Sequence, residues 1–270
     1  MNAVISNHRF VAPATPSMPI GRVLRAYSIE ARCQFLQALR APAFALPFLL
    51  LPLPLYLFFG VVMAGGSPEL QAHPELANYV FSGWCSMAVM GPAIFGVGIG
   101  LAMERDANLL KLKRALPLPT GSYLVAKMLM SVAFAALAVG TVTVAALLVG
   151  KLTMSAGALL AMLAVLVLGA VPFCAIGLFI GAYSSGNAAP AFANLVYLPG
   201  MWLSGMFFPL PKVMQPWAVI WPSLHLNQTA LAAAGLTGPG FLNPLLTSAV
   251  LIGVTLSCGG LAIRRLARSG

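Results

Sequence analysis

Long apolar stretches separated by short polar segments run through this 270-residue chain. Six of the stretches reach the roughly 20 residues that a helix needs to cross the hydrocarbon core of a bilayer. Charged side chains fall at or near their ends, so the pattern predicts an all-α polytopic membrane protein. The six predicted spans are residues 42–64, 76–103, 121–150, 154–183, 187–208 and 241–264.

The overall composition supports the same class. Hydrophobic residues make up 60% of the chain and charged residues 7%, and the mean hydropathy of +0.93 is too high for one soluble core. The net charge of +10 would suggest a nucleic-acid partner in a soluble protein. Here the basic residues stand beside apolar spans, so we expect no nucleic acid and attribute them to anionic lipid headgroups.

The basic residues alternate along the chain in a way that predicts the topology. Of the 15 Lys and Arg residues, only Lys151 and Lys212 occupy the first, third and fifth connections. The others precede the first span, surround the junction of the second and third spans, or end the chain. Cytoplasmic segments of membrane proteins carry this excess. We therefore expect a multi-pass protein of the plasma (inner) membrane with both termini in the cytoplasm.

Before the first span, two segments differ in character. Residues 1–19 contain three prolines and no apolar run of a signal peptide, so we expect a disordered cytoplasmic tail. Residues 20–40 have the period of an amphipathic helix lying in the membrane surface. Its apolar side would enter the acyl boundary, and its basic side would meet lipid phosphates through Arg22, Arg25, Arg32 and Arg40.

Several mechanisms are disfavoured by missing side chains. No ionisable residue lies in the middle of a predicted span, which argues against a proton- or sodium-coupled carrier. The four cysteines and three histidines are scattered, which argues against a metal site. No hydrolase motif and no G-x-x-x-x-G-K-[ST] phosphate loop occurs. We expect no catalysis and no cofactor on this chain, and any ATP that drives it must be bound by a partner.

The sizeable inner loop, residues 104–120, is where a partner would act. Glu104 and Asp106 suit the start of a helix, which leucines and basic residues continue until Pro117 and Pro119 end it. A short amphipathic helix between two membrane spans can transmit a push from a soluble domain. The alternative is a charged loop that only anchors the topology.

At this point the chain resembles the membrane subunits of type-2 ABC exporters, the ABC-2 permease family. The family's loop after the second span is similar to Glu104-Arg105-Asp106, Leu109-Leu110, Pro117 and Lys127. Ala107-Asn108 stands where the family usually has Gly-Thr. Two later segments also resemble family motifs, namely Leu203-Ser204-Gly205-Met206-Phe207-Phe208-Pro209 and Trp221-Pro222-Ser223-Leu224-His225.

This resemblance implies a homodimer that pairs with two ATPase subunits, which bind ATP and magnesium. Residues 106–116 would be the coupling helix and residues 20–40 the connecting helix beside it. Coupling is assigned to Glu104, Arg105, Asp106, Leu109, Leu110, Lys111, Lys113 and Arg114. The dimer contact of the family lies mainly between the first and fifth spans. The corresponding pathway or dimer residues are Asn194, Tyr197, Leu198, Trp202 and Phe207, although the Asn194 amide could instead bond a neighbouring helix.

The segment 209–240 is apolar but contains five prolines, so no continuous span fits. Two short helices that dip back into the outer leaflet fit better, because broken backbone is tolerated there when it packs against protein. Two G-x-x-x-G arrangements, Gly96 to Gly100 and Gly177 to Gly181, predict close helix packing within one subunit.

These features favour an exporter driven by a separate ATPase. The small outer segments favour a lipophilic or amphipathic substrate of the drug or antibiotic type. The alternatives are export of a polysaccharide or lipid-linked glycan, and a membrane scaffold that transports nothing.

Overall fold

The computed structural model describes residues 19–63, 73, 76–115, 121–150, 152–207, 210–211, 213–236 and 242–268, without the side chains of residues 114 and 115. The regular elements in these ranges are all helices. In chain order they are α1 (Ile20–Leu39), α2 (Pro42–Met63), α3 (Leu76–Asp106), α4 (Leu109–Ala115), α5 (Ser122–Val149), α6 (Ala156–Tyr183), α7 (Ala189–Trp202), α8 (Gln215–Ala218), α9 (Pro222–Ala233) and α10 (Pro244–Arg268).

Five of the described helices, α2, α3, α5, α6 and α10, are long and apolar enough to cross a bilayer. The prediction of an all-α polytopic membrane protein is confirmed. The predicted tail, residues 1–19, lies outside the described residues except for Pro19, and so do Lys151 and Lys212, on which the topology prediction partly rests.

The fifth predicted span differs from the expectation of one continuous helix over residues 187–208. Helix α7 has 14 residues, which at 1.5 Å per residue span about 21 Å. Pro199 lies inside it, the Leu203 N–H closes its last turn on the Pro199 carbonyl, and Gly205 then adopts a φ of 70°. A residue in this left-handed conformation ends helical geometry. After Gly205 the chain therefore turns back towards α3.

Helix α3 lies at the centre of the bundle and packs most extensively against the second half of α6. The contact depends on glycines, because a Cβ on Gly177 would stand 2.7 Å from the Ala93 carbonyl oxygen. A Cβ on Gly181 would stand 2.6 Å from the Gly98 carbonyl oxygen. The G-x-x-x-G of α6 thus packs within the subunit, as expected, but its partner on α3 is Gly98 rather than Gly96 or Gly100.

Helices α2 and α10 lie at the periphery and bury only a small share of their residues. In α2 the regular helix is interrupted at Leu51, between Pro47 and Pro52, and continues as a π-helical segment over Tyr56–Met63. Proline has no N–H to donate to the helical ladder, so the interruption falls directly before Pro52.

Residues 20–39 form the predicted helix α1, and its packed side meets α5. The ring of Phe35 lies 5.4 Å from that of Phe134 in an edge-on arrangement. Phe35, on the apolar side of α1, thus packs at least partly on protein. Ile20 and Leu24 stay exposed, and whether α1 lies in the membrane surface stays a prediction.

In the segment 209–240 the described residues form two short helices, α8 and α9, while residues 209, 212 and 237–240 lie outside the described ranges. Helix α9 packs on α10 and on the first half of α6. Its buried His225 donates from Nε2 to the Val219 carbonyl oxygen over 2.8 Å. The predicted short helices exist, and their depth in the membrane stays a prediction.

Candidate functional site: a polar network where four helices meet

One end of the bundle, here called the basic end, holds the last turn of α3, helix α4 and the Arg265 turn of α10. A buried ion pair lies at its centre. The Lys127 ammonium on α5 stands 2.9 Å from the Glu104 carboxylate on α3, and their side chains are 3% and 13% exposed. Gly100 makes room for it, since a Cβ there would approach Lys127 Nζ to 3.2 Å. Breaking such a pair leaves a buried charge without compensation.

Three further residues, two on α1 and one on α4, extend this pair. Lys127 Nζ also donates to Gln34 Oε1 at 3.4 Å, and Gln34 Nε2 donates to Glu30 Oε1 at 3.1 Å. Glu30 in turn accepts from Lys113 Nζ on α4 at 2.7 Å. The chain Glu104–Lys127–Gln34–Glu30–Lys113 holds two carboxylates and two ammonium groups. We call these five residues the polar network.

The aromatic ring of Tyr123, at the start of α5, lies between the two lysines of the network. Lys113 Nζ is 4.4 Å and Lys127 Nζ is 5.1 Å from its centroid, which is within cation–π range. Burial alone would raise the pKa of the Glu30 carboxyl. The hydrogen bonds from Lys113 and Gln34, with the charges of Lys113 and Lys127, outweigh it and lower that pKa below its usual value.

Arg105 and Asp106 form a second connection at the same end. The Arg105 guanidinium donates to the backbone carbonyls of Gly181, Ala182 and Ser184, which are the orphan acceptors at the end of α6. A cation at this position also meets the negative end of the helix dipole. Asp106 accepts from the Gly186 N–H at 2.7 Å. The end of α3 is thereby joined to the turn between α6 and α7.

The expectation that Glu104 and Asp106 begin the loop helix is wrong. Both belong to α3, which continues to Asp106, and α4 begins only at Leu109 after a turn in which Asn108 has a φ of 58°. Acidic groups at a helix C-terminus are unfavourable by themselves. Lys127 offsets this for Glu104, and Arg105 and the Gly186 N–H offset it for Asp106.

Helix α4 has two different sides. Leu110 packs into the apolar cluster around Phe134, and Lys113 reaches Glu30. Leu109 and Leu112, in contrast, are 44% and 63% exposed, and Lys111 beside them is exposed too. The side chain of Arg114 lies outside the described residues. Of the predicted coupling residues, the structure thus places Glu104, Arg105, Asp106, Leu110 and Lys113 in internal contacts and leaves Leu109 and Lys111 facing outwards.

The remaining predicted residues are separated in the structure. The α1 arginines, Arg22, Arg25, Arg32 and Arg40, are all exposed. On α7, one exposed stripe carries Asn194, Leu198 and Trp202. Asn194 Nδ2 donates to the Pro190 carbonyl in its own helix at 3.0 Å.

The last two residues predicted for the pathway or dimer contact the interior instead. Tyr197 lies edge-on to Phe95, with ring centroids 5.3 Å apart. Phe207 is 4% exposed, and its ring centroid is 4.4 Å from that of Trp84. Tyr197 and Phe207 therefore pack inside the single subunit, and of the five residues predicted for the pathway or dimer the three on the exposed stripe of α7 face outwards.

Sequence reasoning did not select Glu30, Gln34, Tyr123 and Lys127 as site residues. A signal for the first two was present, because Glu30 is the one acidic residue among the arginines of segment 20–40 and Gln34 lies one turn later on the same face. Lys127 was noticed only as part of a motif. In the described part of the chain, no group of three His, Cys, Asp or Glu residues could hold a metal ion.

A bundle of long apolar helices with an internally bonded polar end defines a polytopic membrane protein. A family model described as "ABC-2 type transporter" matches residues 26–237, so the chain belongs to that family. It is similar to the Bacillus subtilis (strain 168) protein named "Putative transport permease YvfS", with 27% identity over 224 residues that cover 80% of this chain and 88% of that protein.

Family membership confirms the resemblance drawn from the motifs. It makes the chain a multi-pass transport permease that is not itself catalytic, and it implies an ABC ATPase as partner in general.

Proposed function

We propose that this chain is the membrane-spanning subunit of an ATP-driven exporter, and that α4 is the element on which the ATPase acts. The observation that carries the proposal is the two-sided exposure of α4. Leu109 and Leu112 offer apolar contacts to a partner, while Lys113 on the same helix is bonded to Glu30. Exposed leucines and a basic residue stand together on this short helix. An apolar groove on a soluble domain can therefore bind α4 through the two leucines.

The polar network supplies the path along which a displacement of α4 would travel. Moving α4 pulls on Glu30 of α1, and through Gln34 and Lys127 it reaches α5 and α3. Buried charge pairs resist separation, because separating them leaves charges unpaired in a medium of low dielectric constant. The four helices therefore respond together rather than one by one.

The proposed orientation places the basic end in the cytoplasm of the plasma (inner) membrane. It rests on the excess of Lys and Arg at this end, which includes α4 and the end of α10. With both termini there, the chain must cross an even number of times. Helix α7 and the turn over residues 203–207 would together make the crossing for which α7 alone is short. Labelling of a cysteine at position 151 only from the cytoplasm would contradict this orientation.

The proposed assembly is a homodimer that carries two ATPase subunits. Helix α2 exposes Leu46, Leu50 and Phe58, and α7 exposes Leu198 and Trp202. These two helices correspond to the first and fifth predicted spans, which form the dimer contact in the resemblance. Paired cysteines at Leu198 should form a cross-link between two copies, whereas cysteine at the buried Phe207 should not. Equal cross-linking at both positions would contradict the proposed contact.

The proposed substrate is a lipophilic or amphipathic small molecule moved outwards. Its support is the shortness of the segments outside the helices, which leaves no separate domain in the described ranges to recognise a polymer. The test is reconstitution of the chain with its ATPase in vesicles, followed by ATPase measurement with drug-like compounds, lipids and lipid-linked glycans. Stimulation by drug-like compounds supports the proposal. Stimulation by lipid-linked glycans alone would contradict it and make a glycan the substrate.

The coupling proposal has its own variants in the same assay. Leu109→Ser with Leu112→Ser should lower substrate-stimulated ATPase activity severalfold, because it removes the exposed apolar contacts of α4. The control is Leu24→Ser, which changes an exposed leucine on α1. Equal effects of the two changes would contradict coupling through α4. If no ATPase, including one encoded in an adjacent reading frame, binds the chain, the scaffold alternative is favoured.

A further inference from the structure

An apolar groove lies between α6, α7 and α10. It encloses about 420 Å³, which is within the range of small-ligand sites. Its walls include Phe179 on α6, Leu195 on α7, and Val254 and Cys258 on α10. Leu195 is 66% exposed, so the groove is open to its surroundings. A groove of this kind in a membrane helix bundle accepts a hydrocarbon chain.

The end of the groove towards the basic end has a different chemistry. Tyr183 lines it, and the guanidinium carbon of Arg265 stands 5.8 Å from the centre of the Tyr183 ring. Cys258 and Arg265 are seven residues apart on α10, so they share one face of the helix. Arg265 is exposed, and none of the ion pairs among the described residues includes it.

The charges that face this position favour an anion. Arg264, directly before Arg265, and Arg268, three residues after it, lie on the same exposed end of α10. One carboxylate, that of Asp106, is connected to this end of the groove. It accepts a hydrogen bond from the N–H of Gly186, two residues after the groove residue Ser184. Arg105 pairs with Asp106 at 3.4 Å and offsets its charge. The local balance therefore stays positive at the mouth of an apolar groove.

We propose that this groove binds one anionic phospholipid, with an acyl chain between α6, α7 and α10 and its phosphate at Arg265. The spacing supports the assignment. Val254 and Arg265 are eleven residues apart, which is about 16 Å along the helix. Half of a hydrocarbon core of about 30 Å is nearly the same length. A chain that fills the groove would therefore place its headgroup at the guanidinium.

The ligand belongs to the leaflet at the basic end, which is the cytoplasmic leaflet in the proposed orientation. The inference rests on the proposed function only in calling this leaflet cytoplasmic. Its test needs neither the ATPase nor transport, so failure of one can be told from failure of the other.

The experiment is lipid binding to the full-length chain, measured by native mass spectrometry with dioleoyl phosphatidylglycerol and dioleoyl phosphatidylcholine. We expect the anionic lipid to bind at least about fivefold more tightly, because one arginine near a lipid surface is worth about 1 kcal/mol. Arg265→Gln should remove this preference, whereas Arg265→Lys should keep most of it. Arg264→Gln changes the neighbouring exposed arginine, which has no contact with Tyr183 among those described, and should lower the preference much less than Arg265→Gln.

A second variant tests the groove itself. Cys258→Trp places a large ring inside it and should weaken binding of both lipids. The amount of detergent bound and the helical content should stay as in the unchanged chain, which shows that the variant is folded. Equal binding of the two lipids to the unchanged chain would overturn the proposal. So would equal losses for Arg264→Gln and Arg265→Gln, which indicate attraction to the whole surface. If Cys258→Trp separates a dimer without changing lipid binding, the groove belongs to a second copy.

Discussion

The guanidinium of Arg105, in the last turn of α3, donates to the backbone carbonyl of Ser184 over 2.6 Å. Ser184 directly follows α6. The Arg105 side chain, at the end of α3, therefore caps the end of α6. With the further bonds to Gly181 and Ala182, the contact satisfies carbonyls that α6 cannot satisfy itself. The end of α3 and the turn that leads into α7 are therefore joined by hydrogen bonds.

Changing Arg105 to lysine should weaken this connection although the charge is kept. An ammonium is a point donor, and it cannot reach three carbonyls with the planar fork of a guanidinium. We expect a loss of about 2 kcal/mol of stability and faster hydrogen exchange over residues 181–188, because hydrogen bonds from charged groups are worth about 1.5 to 3 kcal/mol. Lys111→Ala, at an exposed position, is the control. Unchanged exchange in the lysine variant would show that the bonds do not hold the turn.

The pair Glu104–Lys127 should be strongly coupled. Glu104→Ala leaves the Lys127 ammonium buried without its carboxylate partner, so we expect a destabilisation of about 3 to 5 kcal/mol, measured by thermal unfolding in detergent. The double variant Glu104→Leu with Lys127→Met should recover most of the loss, since apolar groups of similar size replace the pair.

The same double variant separates stability from coupling. If the pair transmits motion, the double variant is stable but has lowered substrate-stimulated ATPase activity in the reconstituted complex. Full activity in that variant would assign the pair a structural role only.

Acidification should weaken the contact of α1 with α4. The folded-state pKa of Glu30 lies below its usual value of 4.5, so its contribution to stability is present above pH 4.5 and is lost as the pH falls through the folded value. The melting temperature of the unchanged chain should therefore exceed that of Glu30→Gln at pH 7. This difference should shrink as the pH is lowered below 4.5, and Lys113→Met should behave like Glu30→Gln. A difference that is the same at every pH would contradict the ionised contact.

Gly83 should tolerate no larger residue. A Cβ there would stand 1.9 Å from the Met206 carbonyl oxygen, in the turn that follows α7. Gly83→Ala must displace this backbone, and we expect a destabilisation of about 1 to 3 kcal/mol. Gly140, on α5, has open space at the same position, and Gly140→Ala should be neutral or stabilising by up to about 1 kcal/mol. Equal melting temperatures of the two variants would show that the turn can move aside.

The helices that cross the membrane could be predicted to within a few residues, with one exception. For α2, α5, α6 and α10 the length of an apolar run decides the element, because the bilayer requires each span to satisfy its own backbone groups. The exception was α7. Its apolar run continues to Phe208, but Gly205 in a left-handed conformation and the buried position of Phe207 bring the chain back against α3. Those contacts are tertiary, and they cannot be predicted from the hydropathy of the run.

The candidate site could be predicted only in part. The motif placed Glu104, Arg105 and Asp106 at the basic end, but the two acidic residues were expected to begin the loop helix, whereas they end α3. Whether an acidic residue begins one helix or ends the previous one depends on its partners. For Glu104 the partner is Lys127, 23 positions away in the chain. A local pattern cannot show that partner.

By itself the sequence determined the class of protein, the family and the end of the bundle that carries the charge, because hydropathy, motif order and basic residues are properties of the chain read in one dimension. Only the tertiary structure decided which charges face inwards. Lys127 and Glu30 are unremarkable in a list of residues, yet they are held in one network by helices that meet from distant parts of the chain. Burial makes each charge require a partner, and burial is decided by packing.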